Sequence, residues 1–329
     1  MNKTASKAGP ARRIALAAAF ALSIASTGAL AQKYPNKPVK IIVAYQAGQG
    51  TDVATRYFAD ELSKSLGQSF VVQNNPGAGG NIGTALAANA APDGYTLVMG
   101  TVATHTMNEH MYSSLGYKPD SQFEPITLTG MLPMVISANV DTPYKTLADL
   151  IAADKAAPGK LNVALPSTTA RIVYELFKQE TGATLFGVAY KGSASAMTDV
   201  IGGTVPLTID TVTATRAQST NGKLRPLAIT TAKASPLLPG VPSVAEQGVK
   251  DFQVTAWNAL FAPKGTPAAV IDTLSQEMAK ILARPETERK LMALGFEARG
   301  STPKELDAFV RSERARWGAL IRKADIKLN

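Results

Sequence analysis

Two rhythms of apolar positions alternate along the chain. Residues 39–45 carry the consecutive β-branched residues Ile41, Ile42 and Val43 with no polar alternation, as in a strand buried on both faces of a parallel sheet. Behind Thr51-Asp52 the spacing changes to the helical one. Val53, Tyr57, Leu62 and Leu66 fall near one face, Asp60 and Lys64 form an i,i+4 pair, and Gly67 stands where a C-cap glycine ends a helix. A second strand over 70–73, an Ala-rich helix to residue 91, a turn at Pro92-Asp93-Gly94 and a third strand over 95–99 repeat the plan. Alternating strands and helices of this kind predict an α/β fold built on a doubly wound parallel sheet.

A helix is expected over 103–113, then two extended runs, 125–129 and 134–138, on either side of Gly130 and Pro133, where the chain should cross into a second lobe. Thr146 and Asp149 form a capping box for a helix through residue 156. Strands over 161–165, 185–190, 205–210 and 224–230 alternate with helices over 168–180 and 193–201 and one after residue 210. A proline-rich loop at 236–242 precedes a return strand over 252–261. Helices then start at Pro267, near Glu286 and at Pro303, the last with Thr302 and Glu305 as a capping box. Two crossings divide the chain into a first lobe of 32–131 plus 254–329 and a second of 132–253, a hinged, two-lobed layout.

The first 31 residues fit neither lobe. Lys3, Lys7, Arg12 and Arg13 precede an apolar run over 14–30, and Ala29-Leu30-Ala31 makes a small-x-small cleavage site. This pattern is that of a secretory signal peptide, so the mature chain is expected in the periplasm. Removing its four positive charges lowers the formal net charge from +9 to +5. The remaining charge is spread along the chain, which argues against a nucleic-acid face. No cysteine is present, which excludes disulfides, thiolate catalysis and Cys-type metal sites.

The candidate chemistry lies in two glycine-rich turns, Gln46-Ala-Gly-Gln-Gly-Thr-Asp52 and Asn75-Pro-Gly-Ala-Gly-Gly80, each between a strand and a helix start. Free N–H groups at a helix N-terminus attract anions, and glycines let a ligand approach that backbone. A dinucleotide fingerprint would need a glycine where Val53 stands and an acidic residue near Gln73-Asn74-Asn75; both are missing. The second turn lacks the Gly-Lys-Ser/Thr ending of a phosphate loop. Only two histidines occur, His105 and His110, with no Gly-x-Ser-x-Gly elbow, and five residues apart they make a poor metal pair. His105 follows a strand end, Asp210 ends an apolar strand, Thr168 and Thr169 open a helix, and Tyr190-Lys191-Gly192 is a further strand-to-helix turn. Each either caps its helix or reaches a ligand.

Taken together, several segments resemble the substrate-binding proteins of tripartite tricarboxylate transporters, the Bug or TctC family. These are Lys33-Tyr-Pro-Asn-Lys-Pro-Val-Lys-Ile-Ile-Val43, Asn75-Pro-Gly-Ala-Gly-Gly80, Ala91-Pro-Asp-Gly-Tyr-Thr-Leu97, Tyr190-Lys-Gly192, Val241-Pro-Ser-Val-Ala-Glu246 and Ala262-Pro-Lys-Gly-Thr-Pro267. The resemblance implies a type II periplasmic-binding fold that closes on a carboxylate held by backbone amides of the two turns. It also implies delivery to a two-component membrane permease. The chain departs from the family pattern at Gln49, where a second glycine is usual, in the turn Leu165-Pro-Ser-Thr-Thr169, and at Arg171, where a histidine is common. The Gln-Gly-Thr-Asp turn is similar to the terephthalate-binding branch.

The expectation is therefore a monomeric solute-binding protein, with no catalytic residue, cofactor or metal, for a small dicarboxylate such as terephthalate. Aliphatic di- or tricarboxylates, and a ligand sensor for a membrane receptor, are the alternatives; a carboxylate-processing enzyme ranks last. The expected ligand contacts are Tyr45, Gln46, Gly48, Gln49, Gly50 and Thr51 at the first turn and Gly77, Ala78, Gly79 and Gly80 at the second. His105, Thr168, Thr169, Tyr190 and Asp210 complete the set.

Overall fold

A computed structural model describes residues 34–328; the expected leader and its cleavage site lie outside the described residues. From Lys37 onward the chain is one compact body. Its strands, β1 (Val39–Val43), β2 (Phe70–Asn74), β3 (Thr96–Thr101), β4 (Phe123–Asn139), β5 (Asn162–Leu165), β6 (Phe186–Ala189), β7 (Leu207–Thr211), β8 (Leu224–Ile229), β9 (Thr255–Pro263) and β10 (Glu297–Ala298), join one mixed sheet. Its path runs β2-β1-β3-β9-β4-β7-β5-β6, with β8 and β10 also pairing β4. The outer strands of each half are parallel, as their βαβ crossovers require, while β4 and β9 run antiparallel through the middle.

The fold has two lobes, and β4 passes from one to the other. Its residues up to Pro133 pair with β9, and those from Met134 pair with β7 and β8. The sequence pattern suggests two runs broken at Gly130 and Pro133; the strand is instead continuous, with Gly130 paired to Asn258 and Pro133 to Thr255 and register shifts falling before them, at 125–127 and 128–130. Thr230 is fully buried at this crossing. Its hydroxyl receives the Met134 N–H at 3.1 Å and donates to the Val254 carbonyl at 2.6 Å.

The first helix, α1 (Gly50–Leu66), ends at Gly67 with φ 70° and carries the Asp60–Lys64 pair at 2.6 Å. Its buried side differs from the expected stripe. Ala54, Phe58 and Leu62 face the core, whereas Val53 and Tyr57 are half-buried. Helices α2 (Asn81–Ala88), α3 (Leu147–Ala156), α4 (Thr168–Thr181), α5 (Ser193–Ile201) and α6 (Val212–Thr220) follow the expected order, α3 with its capping box formed. The helix expected over 103–113 is shorter. A π-type turn, Ala103–Met107, and a single 3₁₀ turn, Asn108–His110, take its place, with Thr106 Oγ1 bonded to the Val102 carbonyl. After β9, α7 (Ala268–Leu282), α8 (Pro285–Ala293) and α9 (Pro303–Lys323) return to the first lobe, where α9 packs along the π turn.

Trp257 of β9 and Trp317 of α9 both donate their indole N–H to Glu313 Oε2, at 3.3 and 2.9 Å. Among the described residues no helix is long and apolar enough to cross a membrane.

Candidate functional site

Both glycine turns face a cleft between the lobes, because both follow the carboxyl ends of adjacent parallel strands, β1 and β2. In the second turn Gly77, Ala78, Gly79 and Gly80 all have positive φ, at 134°, 47°, 62° and 96°. Such a run turns successive amides to one side, and glycine tolerates it; at Ala78 it stores backbone strain, as functional turns do. Among the described residues the amides of Gly77, Ala78 and Gly79 have no protein acceptor, while Gly80 N–H closes on the Gly77 carbonyl at 2.9 Å. Asn108 fixes the turn from behind, donating to the Gly79 carbonyl at 3.1 Å and to Asn81 Oδ1 at 2.6 Å.

The first turn is held differently. Gly48 N–H binds Asp52 Oδ2 at 2.9 Å, so this glycine folds the loop and borders neither of the two cavities described below. Burial alone would raise the Asp52 carboxyl, but Arg56, the Gly48 amide and Asn74 outweigh it and hold it below its ordinary value. Gln49 is the N-cap of α1 yet does not cap it. Its Oε1 accepts the Gln46 N–H at 3.0 Å, and its Nε2 reaches across the cleft to the Pro166 carbonyl at 3.5 Å.

A cavity of about 460 Å³ lies between these turns and the second lobe. Tyr45, Gln46, Gln49, Gly77, Ala78, Gly79, Gly80, Thr168 and Tyr190, all expected from the sequence, line it. The structure adds Tyr112, Ser167, Arg171, Lys191 and Leu328. Among the described residues no aspartate or glutamate lines it, whereas Arg171 and Lys191 do. Arg171 is partly neutralised by Glu175 at 2.6 Å; among the described residues Lys191 has no acidic partner. The Tyr190 hydroxyl is engaged with Asp199 Oδ2 at 2.7 Å, and burial together with that carboxylate pushes its pKa up to about 12. Tyr190 therefore offers the cavity its ring rather than a free hydroxyl.

Gly50, Thr51, Thr169 and Asp210 sit elsewhere. With Tyr45, Gln49 and Asn258 they border a second, polar void of about 40 Å³ behind the first, which is large enough for water. Thr51 Oγ1 donates to Asn258 Oδ1 at 3.1 Å, and neither Asn258 Nδ2 nor Asp210 Oδ2 has a hydrogen-bond partner among the described residues. Burial drives the Asp210 carboxyl up to about 6; the Ser193 hydroxyl, outside hydrogen-bond geometry, and Thr211 pull the other way.

His105 lies behind the wall. It is fully buried and stacked on Phe261, with ring centroids 4.1 Å apart. Burial, then the Arg314 charge, lowers its pKa to about 3, so the ring is neutral. A chain of hydroxyls connects it to the cavity: His105 Nδ1 to Thr104 Oγ1 at 2.9 Å, Thr104 to Thr101 at 3.3 Å, and Thr101 to the Tyr45 hydroxyl at 2.8 Å. The expected ligand contact at His105 is thus replaced by a supporting one, because the π turn points the ring into the aromatic core.

Three glycines let the lobes approach. A Cβ on Gly50 would stand 2.7 Å from Thr211 Oγ1, one on Gly79 would meet the Tyr112 hydroxyl and Thr168 Oγ1, and one on Gly192 would strike the Gln46 amide.

A family model described as "Tripartite tricarboxylate transporter family receptor" matches residues 54–326. Protein BugT of Bordetella pertussis is 35% identical over 320 residues, covering 95% of this chain and 98% of that protein. The solved structure of R. palustris Rpa4515 with adipate matches with a TM-score of 0.87 at 35% identity, over 89% of this chain and 99% of that one. MatC (Rpa3494) from Rhodopseudomonas palustris with bound malate matches with a TM-score of 0.81 at 29% identity, over 88% and 100% of the two chains.

Proposed function

The chain belongs to the tripartite tricarboxylate transporter receptor (TctC/Bug) family, and on that premise we propose that it is a periplasmic receptor that captures a dicarboxylate between its lobes. The observation that carries this reading is the pairing of unpartnered amides at Gly77–Gly79 with Arg171 and Lys191 in a cavity without acidic side chains. One ligand carboxylate accepts hydrogen bonds from the amides, and the other faces the two cations. Charge-assisted hydrogen bonds contribute roughly 1.5–3 kcal/mol each. Three or four offset the desolvation and closure costs and leave affinity on the order of micromolar.

Terephthalate is the first candidate. Tyr45, Tyr112 and Tyr190 with Leu165, Pro166 and Ala189 give the cavity flat, apolar walls between its polar ends, which suits a rigid aromatic spacer. An aliphatic diacid is the second reading, favoured by the relative solved with adipate. The lobes are taken as 32–131 with 254–329 and 132–253. The liganded protein acts as a monomer and hands its cargo to a two-component membrane permease.

Calorimetric titration with terephthalate, adipate, malate and citrate tests the reading. Binding of a dicarboxylate, lost or weakened at least about tenfold in Gly79→Ala, is expected, since the substitution strains a left-handed residue and wedges a methyl between Tyr112 and Thr168. Binding of none of the four acids, or unchanged affinity in the variant, overturns it.

A further inference from the structure

The larger cavity draws its lining from residues 44–191 with one exception, Leu328, which lies beyond the stretch matched by the family model. How it gets there is written into the end of α9. Asp325 adopts φ 47°, its N–H bonds the Arg322 carbonyl at 3.2 Å, and Ile326 N–H bonds the Ile321 carbonyl at 3.2 Å. This pattern reverses the chain at a helix end, and it is normally accompanied by apolar contact between the residues it brings together; Ile321 and Ile326 are both buried. The reversal brings the next residues to the edge of the cavity. Leu328 N–H bonds the Met111 carbonyl at 2.9 Å, beside Tyr112 of the cavity wall. On the other side, Ala324 shares a surface depression with Glu175, Lys178 and Gln179 of α4, the helix that contributes Thr168 and Arg171 to the same cavity.

We propose that the segment 324–328 is a wall of the ligand cavity and that Leu328 sets the length of the diacid it accepts. This rests on the reading of the cavity as a dicarboxylate site. The physical argument is that Leu328 is tied down by its backbone while its half-buried side chain has one face on the cavity. An apolar side chain there cannot hydrogen-bond a carboxylate. It can only pack on the spacer or block the space beyond it. Because Leu328 is anchored to the first lobe through Met111 and lies near α4 of the second, its contact with a ligand is completed only when the lobes meet.

The test is a length profile. Linear α,ω-diacids from succinate to sebacate, with terephthalate beside them, are titrated calorimetrically into the wild type, Leu328→Ala, Leu328→Trp and the exposed neighbour Lys327→Ala. Leu328→Ala is expected to weaken the wild type's best diacid by about 3- to 10-fold, from the lost apolar contact, and to move the optimum to a longer chain. Leu328→Trp moves it to a shorter one, and Lys327→Ala leaves the profile in place. Melting of the ligand-free variants separates packing from selectivity. A profile that keeps its shape in both Leu328 variants, whether or not all acids weaken together, overturns the proposal while the dicarboxylate reading stands. A wild type that binds no diacid overturns both.

Discussion

Gly50 offers a substitution whose effects on folding and on binding should have opposite signs. It is the first residue of α1, and its φ lies outside the left-handed region, so alanine is accepted by the backbone there. In a helix interior alanine is worth about 0.5–1 kcal/mol over glycine, less at a first turn. The new methyl, however, would sit 2.7 Å from Thr211 Oγ1, 3.0 Å from Leu132 Cδ2 and 3.3 Å from Thr213 Cβ. Thr211 cannot simply turn away, because its Oγ1 caps α6 by accepting the Ala214 N–H at 3.2 Å, and losing such a cap costs about 1 kcal/mol. Either the cap is lost or the lobes stay apart by several tenths of an ångström. Overpacking of this kind costs roughly 1–3 kcal/mol. Since the tightest contact, with Thr211, exists only where the lobes meet, most of this cost falls on the liganded state and weakens binding about 5- to 150-fold. Calorimetry with the wild type's best diacid gives the affinity, urea unfolding of the ligand-free protein gives the stability, and small-angle scattering at saturating ligand gives the degree of closure. Affinity within twofold of wild type would refute the reasoning, as would a loss of affinity matched by an equal loss of ligand-free stability.

Two further substitutions probe buried charge. The Asp210 carboxyl, raised to about 6 from 3.8, lowers folding stability increasingly as pH rises from 4 to 6, and by a constant amount above that, on the order of 3 kcal/mol. Asp210→Asn should therefore stabilise the protein to urea at pH 7.5 and gain little near pH 4; an equal gain at both pH values would show that burial of the charge is not the cause. Glu313 accepts both buried indole N–H groups, so Glu313→Ala leaves two donors without a partner at roughly 1–3 kcal/mol each. Its urea midpoint should fall well below that of Glu313→Gln, which keeps an acceptor, and equal midpoints would contradict this account.

Much of the fold was legible because local physics and tertiary context agree. The Ile41-Ile42-Val43 run, the Gly67 cap and the boxes at Thr146 and Thr302 each specify their element through interactions made within a few residues. The continuous β4 was not legible, since Gly130 and Pro133 read locally as breakers and only their pairing with β9 keeps the strand going. The π turn at 103–107 depends on hydroxyl-to-carbonyl bonds and on packing against α9, which no periodicity displays. In the site, the glycine turns were visible as motifs, whereas Tyr112, Ser167 and Leu328 carry no local signal of facing a cavity. Arg171 stood out in the sequence only as a departure from a family pattern. His105 lies behind the cavity wall and Asp210 on the smaller void for one reason: being near a strand's carboxyl end fixes a residue's position but not the direction of its side chain.

The Thr230 crossing gives the two lobes an unusual kind of joint. Met134 and Val254, the points where the two strands leave the second lobe, are pinned through one residue, by its hydroxyl and by its backbone N–H and carbonyl. Two ribbons laddered together as far as Pro133 and Thr255, and then tied to one residue, cannot slide past each other or shear sideways without breaking those bonds. They can still bend together. Motion between lobes is thereby reduced to something near a single coordinate, and a receptor so built searches few relative orientations before its halves meet. Capture then becomes a question of how often one bending mode reaches its closed end, with little orientational entropy left to lose when a ligand arrests it there.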